Sequence, residues 1–271
     1  MLKIPDTRII ILLTIAVIAV MSGLASVWLG AYRTPDLQAQ VKTAQAALEL
    51  TRRSHTVGYS ADDITAAPYD TDEFEARKVL FLAKMLPLIV AENNRILAQR
   101  SMAQRTSSPA QLNALALAHG LKPKRVSKDA LLKRIDVLPP SLVLAQAAIE
   151  SAWGTSRFAR EGNAFFGERT YDPDTPGITP KRASGFKVKS FATPQGSVRS
   201  YMKTLNSNRA YRTLRERRAA LRTMGQPLSG PDLTSHLKAY SELGGAYISM
   251  VEDTIAANHL EDFDTLITLN E

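Results

Sequence analysis

Cysteine is absent from the chain. That excludes disulfides, a thiolate metal site and a cysteine nucleophile, and it suits an oxidising or a reducing compartment equally. Histidine is scarce, with His55, His119, His236 and His259 the only examples. They lie far apart at no metal-ligand spacing, so no metal or other cofactor is expected. There is no glycine-rich phosphate loop, no serine-hydrolase elbow, no internal repeat and no low-complexity tract. Acidic residues are in deficit: 26 Asp and Glu stand against 34 Lys and Arg, a formal net charge of +8. A basic surface suits an anionic polymer, whether nucleic acid, membrane headgroups or a wall polymer carrying carboxylates.

Long uncharged apolar runs are missing, with one exception. Ile9 to Ala31 contains no charged residue, and about 20 apolar residues suffice to cross a bilayer as a helix. Lys3 and Arg8 precede the run and Arg33 follows it, which predicts a cytoplasmic N-terminus. The expected role is an uncleaved single-pass anchor in the inner membrane, with the remaining chain in the periplasm. A cleaved signal peptide ending near Ala25-Ser26-Val27 is the alternative, and it exports the remaining chain too. An exported chain does not meet chromosomal DNA. The basic run Arg209, Arg212, Arg215, Arg217, Arg218 and Arg222 therefore reads as a solvated helix face, and no nucleic-acid partner is expected.

Helical periodicity dominates the rest. Residues 74–105 form a long helical pattern, with Asp72 as the expected N-cap, Glu75 in the capping-box position and a kink or break at Pro87. Residues 109–120 and 127–135 read as short helices. A helix over 140–152 follows, and further helices are predicted at 194–208, 209–224, 230–241 and 245–258. Residues 162–196 are different. They carry Gly, Pro and Thr with short alternating pieces such as "GFKVKSF", which predicts a small antiparallel sheet. The fold class is thus α+β and mostly α, divided into an anchor (1–34), a membrane-proximal helical region (35–137) and a second domain (138–271).

The stretch "LAQAAIESAWG", residues 144–154, carries the chemistry. Leu142, Ala145, Ile149 and Ala152 make an apolar stripe, while Gln146 and Glu150, four apart, share a neighbouring face. Gly154 is the expected C-terminal cap. Glu150 then sits in the last helical turn, where the helix dipole and apolar neighbours both disfavour its charge. A carboxyl kept protonated in this way suits a general acid.

The string "LAQAAIESAWGTSRFAREGNAFFG" resembles the catalytic helix and turn of the lysozyme-like glucosaminidases of glycoside hydrolase family 73. Their pattern A-x-x-E-[ST]-x-W-G, then G-N-N-x-F-G, is met by Ala147, Glu150, Ser151, Trp153, Gly154, Gly162, Asn163, Phe166 and Gly167, with Ala164 in place of the second Asn. "FEARKVLFLAKMLPLIVAENNRIL", "FATPQGSVRSYMKTLNSNRAYRTLRERR" and "YSELGGAYISMVEDTIAAN" extend the likeness over roughly residues 74–260. The resemblance implies a lysozyme-like fold with a small β-lobe. It implies a peptidoglycan hydrolase that cuts the β-1,4 bond between N-acetylglucosamine and N-acetylmuramic acid. Glu150 matches the general acid and Tyr247 an assisting tyrosine; Trp153 reads as a core anchor. Gln146, Ser151, Asn163, Phe166 and Tyr240 are the expected substrate-binding residues. Glycosidases commonly use a second carboxylate, and Glu168, Asp172 and Asp174 in the β-lobe are the candidates, unless the substrate's own acetamide serves. That lobe also carries Lys181, Arg182, Lys187 and Lys189 and reads as a mobile flap. A lytic transglycosylase on the same fold, and a non-catalytic wall-binding scaffold, are the alternatives.

Overall fold

The computed structural model describes residues 37–123, 127–181 and 185–267. The apolar run Ile9 to Ala31 and Arg182 lie outside the described residues. Among the described residues no helix is long and apolar enough to cross a membrane.

Helix α1 (Leu37–Ser54) lies on the long helix α2 (Phe74–Arg105). Between them run two short 3-10 turns, Ala61–Asp63 and Pro68–Asp70. Helix α2 is unbroken across Pro87. A proline inside a helix costs ~3 kcal/mol or more. Phe81, Leu82, Met85, Leu86 and Ile89 flank it and are all buried, and each contributes about 1.5–3 kcal/mol on burial, so the core holds the helix together. The expected cap is also displaced. Glu73, not Asp72, occupies the N-cap position, and it makes no side-chain cap bond.

Helices α3 (Pro109–Ala118) and α4 (Lys128–Arg134) lead into the central helix α5 (Pro140–Ser151). Every residue from Pro140 to Ala148 is buried, so α5 is enclosed on all sides rather than along one stripe. It packs on α2, on α10 (Gly245–Ala257) and on the closing 3-10 turn Leu260–Leu266. Pro139 and Pro140 leave its N-terminus without a local side-chain cap. Asp264 takes that role from far along the chain. It accepts from Ser141 N at 2.9 Å, Ser141 Oγ at 2.7 Å and Gly230 N at 2.9 Å. Asn93 of α2 makes a paired bond to the Leu138 backbone at 2.9 and 3.1 Å and fixes the approach to α5.

After helix α6 (Arg157–Gly162) come strands β1 (Arg169–Thr170), β2 (Gly177–Ile178) and β3 (Lys187–Lys189). They form an antiparallel sheet in the order β1-β3-β2, with Arg169 opposite Val188 and Ile178 also opposite Val188. Helices α7 (Pro194–Ser207), α8 (Arg212–Thr223) and the short α9 (Pro231–Thr234) complete the chain before α10. The helix expected over 230–241 is thus one α-turn followed by a 3-10 turn, Ser235–Leu237. One apolar core runs from Val41 to Phe263.

The basic run departs most from its expected role as a solvated face. Arg218 is wholly buried and donates to Asp136 O, Val137 O, Lys133 O and Asn206 Oδ1. Arg215, also buried, donates to Leu205 O and Asn208 O. Arg222 grips the buried Asp136 with two bonds, and Arg100 reaches the same carboxylate at 3.5 Å. Two of the six arginines, Arg218 and Arg222, therefore tie α8 to the loop that feeds α5, and Arg215 ties it to the C-terminal end of the helix Pro194–Ser207. Sequence spacing could not reveal the buried carbonyls that receive them.

Candidate active site

Helix α5 does not run on to Gly154. Its C-cap is Ala152, in the left-handed conformation at φ 51°, and Trp153 (φ 57°) and Gly154 (φ 82°) follow in the same region. The tight turn exposes Ala152, an expected member of the stripe, and half-buries Ile149. It is locked by Ser151, whose Oγ donates to Ala147 O at 2.6 Å and accepts from Gly154 N at 2.8 Å. Trp153 packs edge-on against Phe74 and Phe81 of α2, at 6.1 and 5.6 Å between ring centroids. A Cβ at Gly154 would meet Phe81 and Pro68 at 3.2–3.4 Å, so the turn is pressed onto the helical region. Glu150 emerges one residue before the turn, fixed from both sides.

Behind Glu150 lies a stack of tyrosines. Tyr247, buried on α10, sets its hydroxyl beside the Glu150 carboxyl. The same hydroxyl accepts from Gln146 Nε2 at 2.9 Å, and Gln146 Oε1 accepts from Tyr201 OH. Gln146 is thus fully buried, with both ends of its amide engaged. Tyr240 stacks on Tyr247 at 5.4 Å and donates to Phe166 O at 2.9 Å. Phe166 in turn stacks on Tyr201 at 4.0 Å. Burial pushes the Glu150 carboxyl above its ordinary range, and the Tyr247 bond partly offsets this. Burial likewise raises Tyr247, and the Glu150 charge raises it further.

Glu150 opens into a cavity of about 790 Å³ whose walls include Phe166, Glu168, Arg169, Lys189, Tyr211, Lys238 and Tyr240. Gly167 forms the closest wall. Its φ is +62°, and a Cβ there would lie 3.3 Å from Glu150 Oε2. Glycine at this place satisfies a left-handed backbone and leaves room for the carboxyl. The next residue, Glu168, turns into the same cavity. Its Oε1 accepts from Thr204 Oγ1 at 2.9 Å and lies 3.5 Å from Lys189 Nζ. Its Oε2 is buried with no hydrogen-bond partner among the described residues.

The other β-lobe acids stand elsewhere. Asp172 and Asp174 are exposed and line no part of this cavity. Asp172 closes its own turn, accepting from Thr175 Oγ1 at 2.7 Å and Asp174 N at 3.0 Å, and these bonds hold it below the ordinary range. Asn163 is also placed apart. It caps α6 at φ 50° and donates to Phe191 O at 3.0 Å. It lines a separate cavity of about 410 Å³ with Lys84, Arg160 and Phe165.

The structure brings Glu150, Tyr247, Gln146, Phe166, Tyr240 and Glu168 together. Spacing alone missed Tyr201, Thr204 and Tyr211. Their signal lay in the stretch from "SVRSYMKTLNS" to "NRAY", which carries the family likeness but contains no acid to draw notice. No cluster of His, Cys, Asp or Glu suited to a metal occurs among the described residues.

Residues 127–240 match the family model described as mannosyl-glycoprotein endo-beta-N-acetylglucosaminidase, Glucosaminidase. The chain is 32% identical over 183 residues to Protein bax of Escherichia coli (strain K12), covering 63% of this chain and 66% of that protein. No solved structure matches the chain.

Proposed function

Because the chain is a Bax-like protein carrying a glucosaminidase domain, we propose that it is a peptidoglycan hydrolase. Its target is the β-1,4 bond between N-acetylglucosamine and N-acetylmuramic acid. One observation carries this reading. Glu150 is a carboxyl that burial pushes toward its neutral form, at the wall of a polar cleft, with the Tyr247 hydroxyl beside it.

The chemistry follows from the placement. Glu150 delivers its proton to the glycosidic oxygen as the bond breaks. The carboxylate left behind keeps the Tyr247 hydroxyl as donor, so the charge that forms in the transition state is met by a group already in position. Gln146 and Tyr201 hold Tyr247 there. Glu168 is the second carboxylate, since it shares the cavity and its Oε2 has no hydrogen-bond partner among the described residues. It acts on the water nucleophile or on the positive charge of the sugar ring. The lobe that begins at Glu168 closes over the glycan strand and excludes bulk water. The segment Ile9 to Ala31 anchors the chain in the inner membrane with this cleft in the periplasm.

The test is zymography of the fragment 35–271 on a peptidoglycan gel, followed by mass spectrometry of the products. Reducing N-acetylglucosamine ends are expected. Anhydro-muramic ends would replace the reading with lytic cleavage, and intact wall material would replace it with a wall-binding scaffold. Inner-membrane fractionation of a chain starting at Met1 tests the anchor; a soluble periplasmic product starting near residue 26–32 overturns it.

A further inference from the structure

The β-lobe displays two aromatic rings that lie outside the apolar core. Tyr171 follows β1 directly and is 75% exposed, the most exposed large apolar side chain among the described residues. Phe186 precedes β3, and the two ring centroids are 6.3 Å apart. Neither ring belongs to the core or packs against it. Exposing an aromatic ring of this size forgoes burial of about 150–250 Å², and a satellite ring with no packing role points to an external partner.

The pair is continuous with the candidate cleft. Arg169, which lines the cavity holding Glu150, places its guanidinium 4.7 Å above the Phe186 ring. The chain of contacts thus runs from the cleft wall through Arg169 to Phe186 and on to Tyr171. Lys189 and Lys238 add positive charge to the cleft walls, and Leu243, 60% exposed, adds a further apolar surface there.

We propose that Tyr171 and Phe186 form an accessory glycan subsite, a platform for a sugar ring of the strand beyond the two that flank the scissile bond, with Arg169 receiving a carboxylate of that strand. The proposal rests on the glycosidase reading of Glu150. Its physical basis is separate. A pyranose presents a face of C–H bonds that packs on an aromatic ring, while its hydroxyl edges stay in water. A flat, half-supported tyrosine linked to the cleft wall through Phe186 and Arg169 meets both needs, and its exposed phenol hydroxyl can bond the edge of the ring. Arg169 matches the negative charge that stem peptides bring to every second sugar. The platform binds substrate and transition state alike, so it sets affinity for long strands rather than the rate of the chemical step.

The test uses the full chain in detergent acting on purified sacculi. Tyr171→Ala should raise the half-saturating sacculus concentration about fivefold to tenfold while the limiting rate changes by less than about twofold. Tyr171→Trp should restore wild-type saturation, and Phe186→Ala should give a smaller rise. Thermal unfolding should be unchanged in all three, since the rings hold no core. Sedimentation of the same changes in a Glu150→Gln background reads binding without turnover. It therefore decides the platform even if the chain proves not to cleave wall at all. Unchanged sacculus binding by Tyr171→Ala overturns the inference. So does a fall confined to the limiting rate. Loss of self-association in analytical ultracentrifugation, with sacculus binding intact, would also overturn it, because the rings would then pack on protein.

Discussion

Gln146 holds Tyr247 by a hydrogen bond of 2.9 Å between two buried side chains on different helices. One helix carries Glu150 itself; the other comes from about a hundred residues later in the chain. Because Gln146 donates in this bond, the Tyr247 hydroxyl keeps its own proton available for the Glu150 carboxyl beside it.

Removing that donor has a signed consequence. The Tyr247 bond lowers the Glu150 pKa against the larger opposing effect of burial. Tyr247→Phe should therefore raise it further, and the alkaline limb of the pH–rate profile, where Glu150 loses its proton, should move to higher pH. The limiting rate should fall about tenfold, at the scale of one lost charge-assisted bond. An alkaline limb that stays in place, measured on solubilised peptidoglycan, would separate Tyr247 from Glu150.

Glu150→Gln is nearly isosteric and has no acidic proton. Loss of a general acid costs ~10²–10⁴-fold in rate. Dye release from labelled sacculi should fall by that factor, with the unfolding midpoint within a few degrees of wild type. Near wild-type turnover would remove Glu150 from the chemistry.

The three β-lobe acids should separate in a single comparison. Glu168→Gln should lose about a hundredfold or more in limiting rate. Asp172→Ala and Asp174→Ala, which only loosen an exposed turn, should stay within about threefold. Full activity in all three would pass the second role to the substrate's acetamide.

Gly167→Ala should reduce both activity and stability. A left-handed residue other than glycine costs roughly 1–2 kcal/mol, and the added Cβ presses on the Glu150 carboxyl at 3.3 Å. Urea unfolding reads the first effect and muropeptide release the second. A variant as active and stable as wild type would show that the turn relaxes away from Glu150.

Asp264 supplies a pH dependence of stability. Burial pushes its carboxyl up to about 6, although it accepts bonds from Ser141 and Gly230. A raised carboxyl pKa means the folded state holds the proton more tightly than the unfolded state. Its contribution is present below pH about 4 and is lost as pH rises through about 6. Urea titrations at pH 4 and pH 7 should show this slope in wild type, and Asp264→Asn should flatten it. The same variant weakens the cap of the helix bearing Glu150, so some loss of stability should remain at both pH values. An unchanged slope would assign the titration to another group.

The order of helices was legible in the residues because amphipathic periodicity is local. The long pattern at 74–105, the short β segment around "GFKVKSF" and the helix ending near Glu150 all follow from side chains a few positions apart. The acid itself was legible for a similar reason: a Glu among Ala and Ile at a helix end, followed by Trp and Gly, is already a chemical statement. Composition likewise settled that no disulfide or thiolate chemistry occurs. Other features depended on groups far apart in sequence. Arg218 looked like surface charge until the fold placed the carbonyls of Lys133, Asp136 and Val137 around it. Asp172 and Glu168 were equal candidates until β1 and α7 put Glu168 beside Thr204 and left Asp172 in its own turn. Periodicity reports which face of an element is apolar, but desolvation, unpaired atoms and shared cavities arise only when distant elements close on one another. That closure, rather than any local pattern, raises the Glu150 pKa and brings Glu168 into the same cavity.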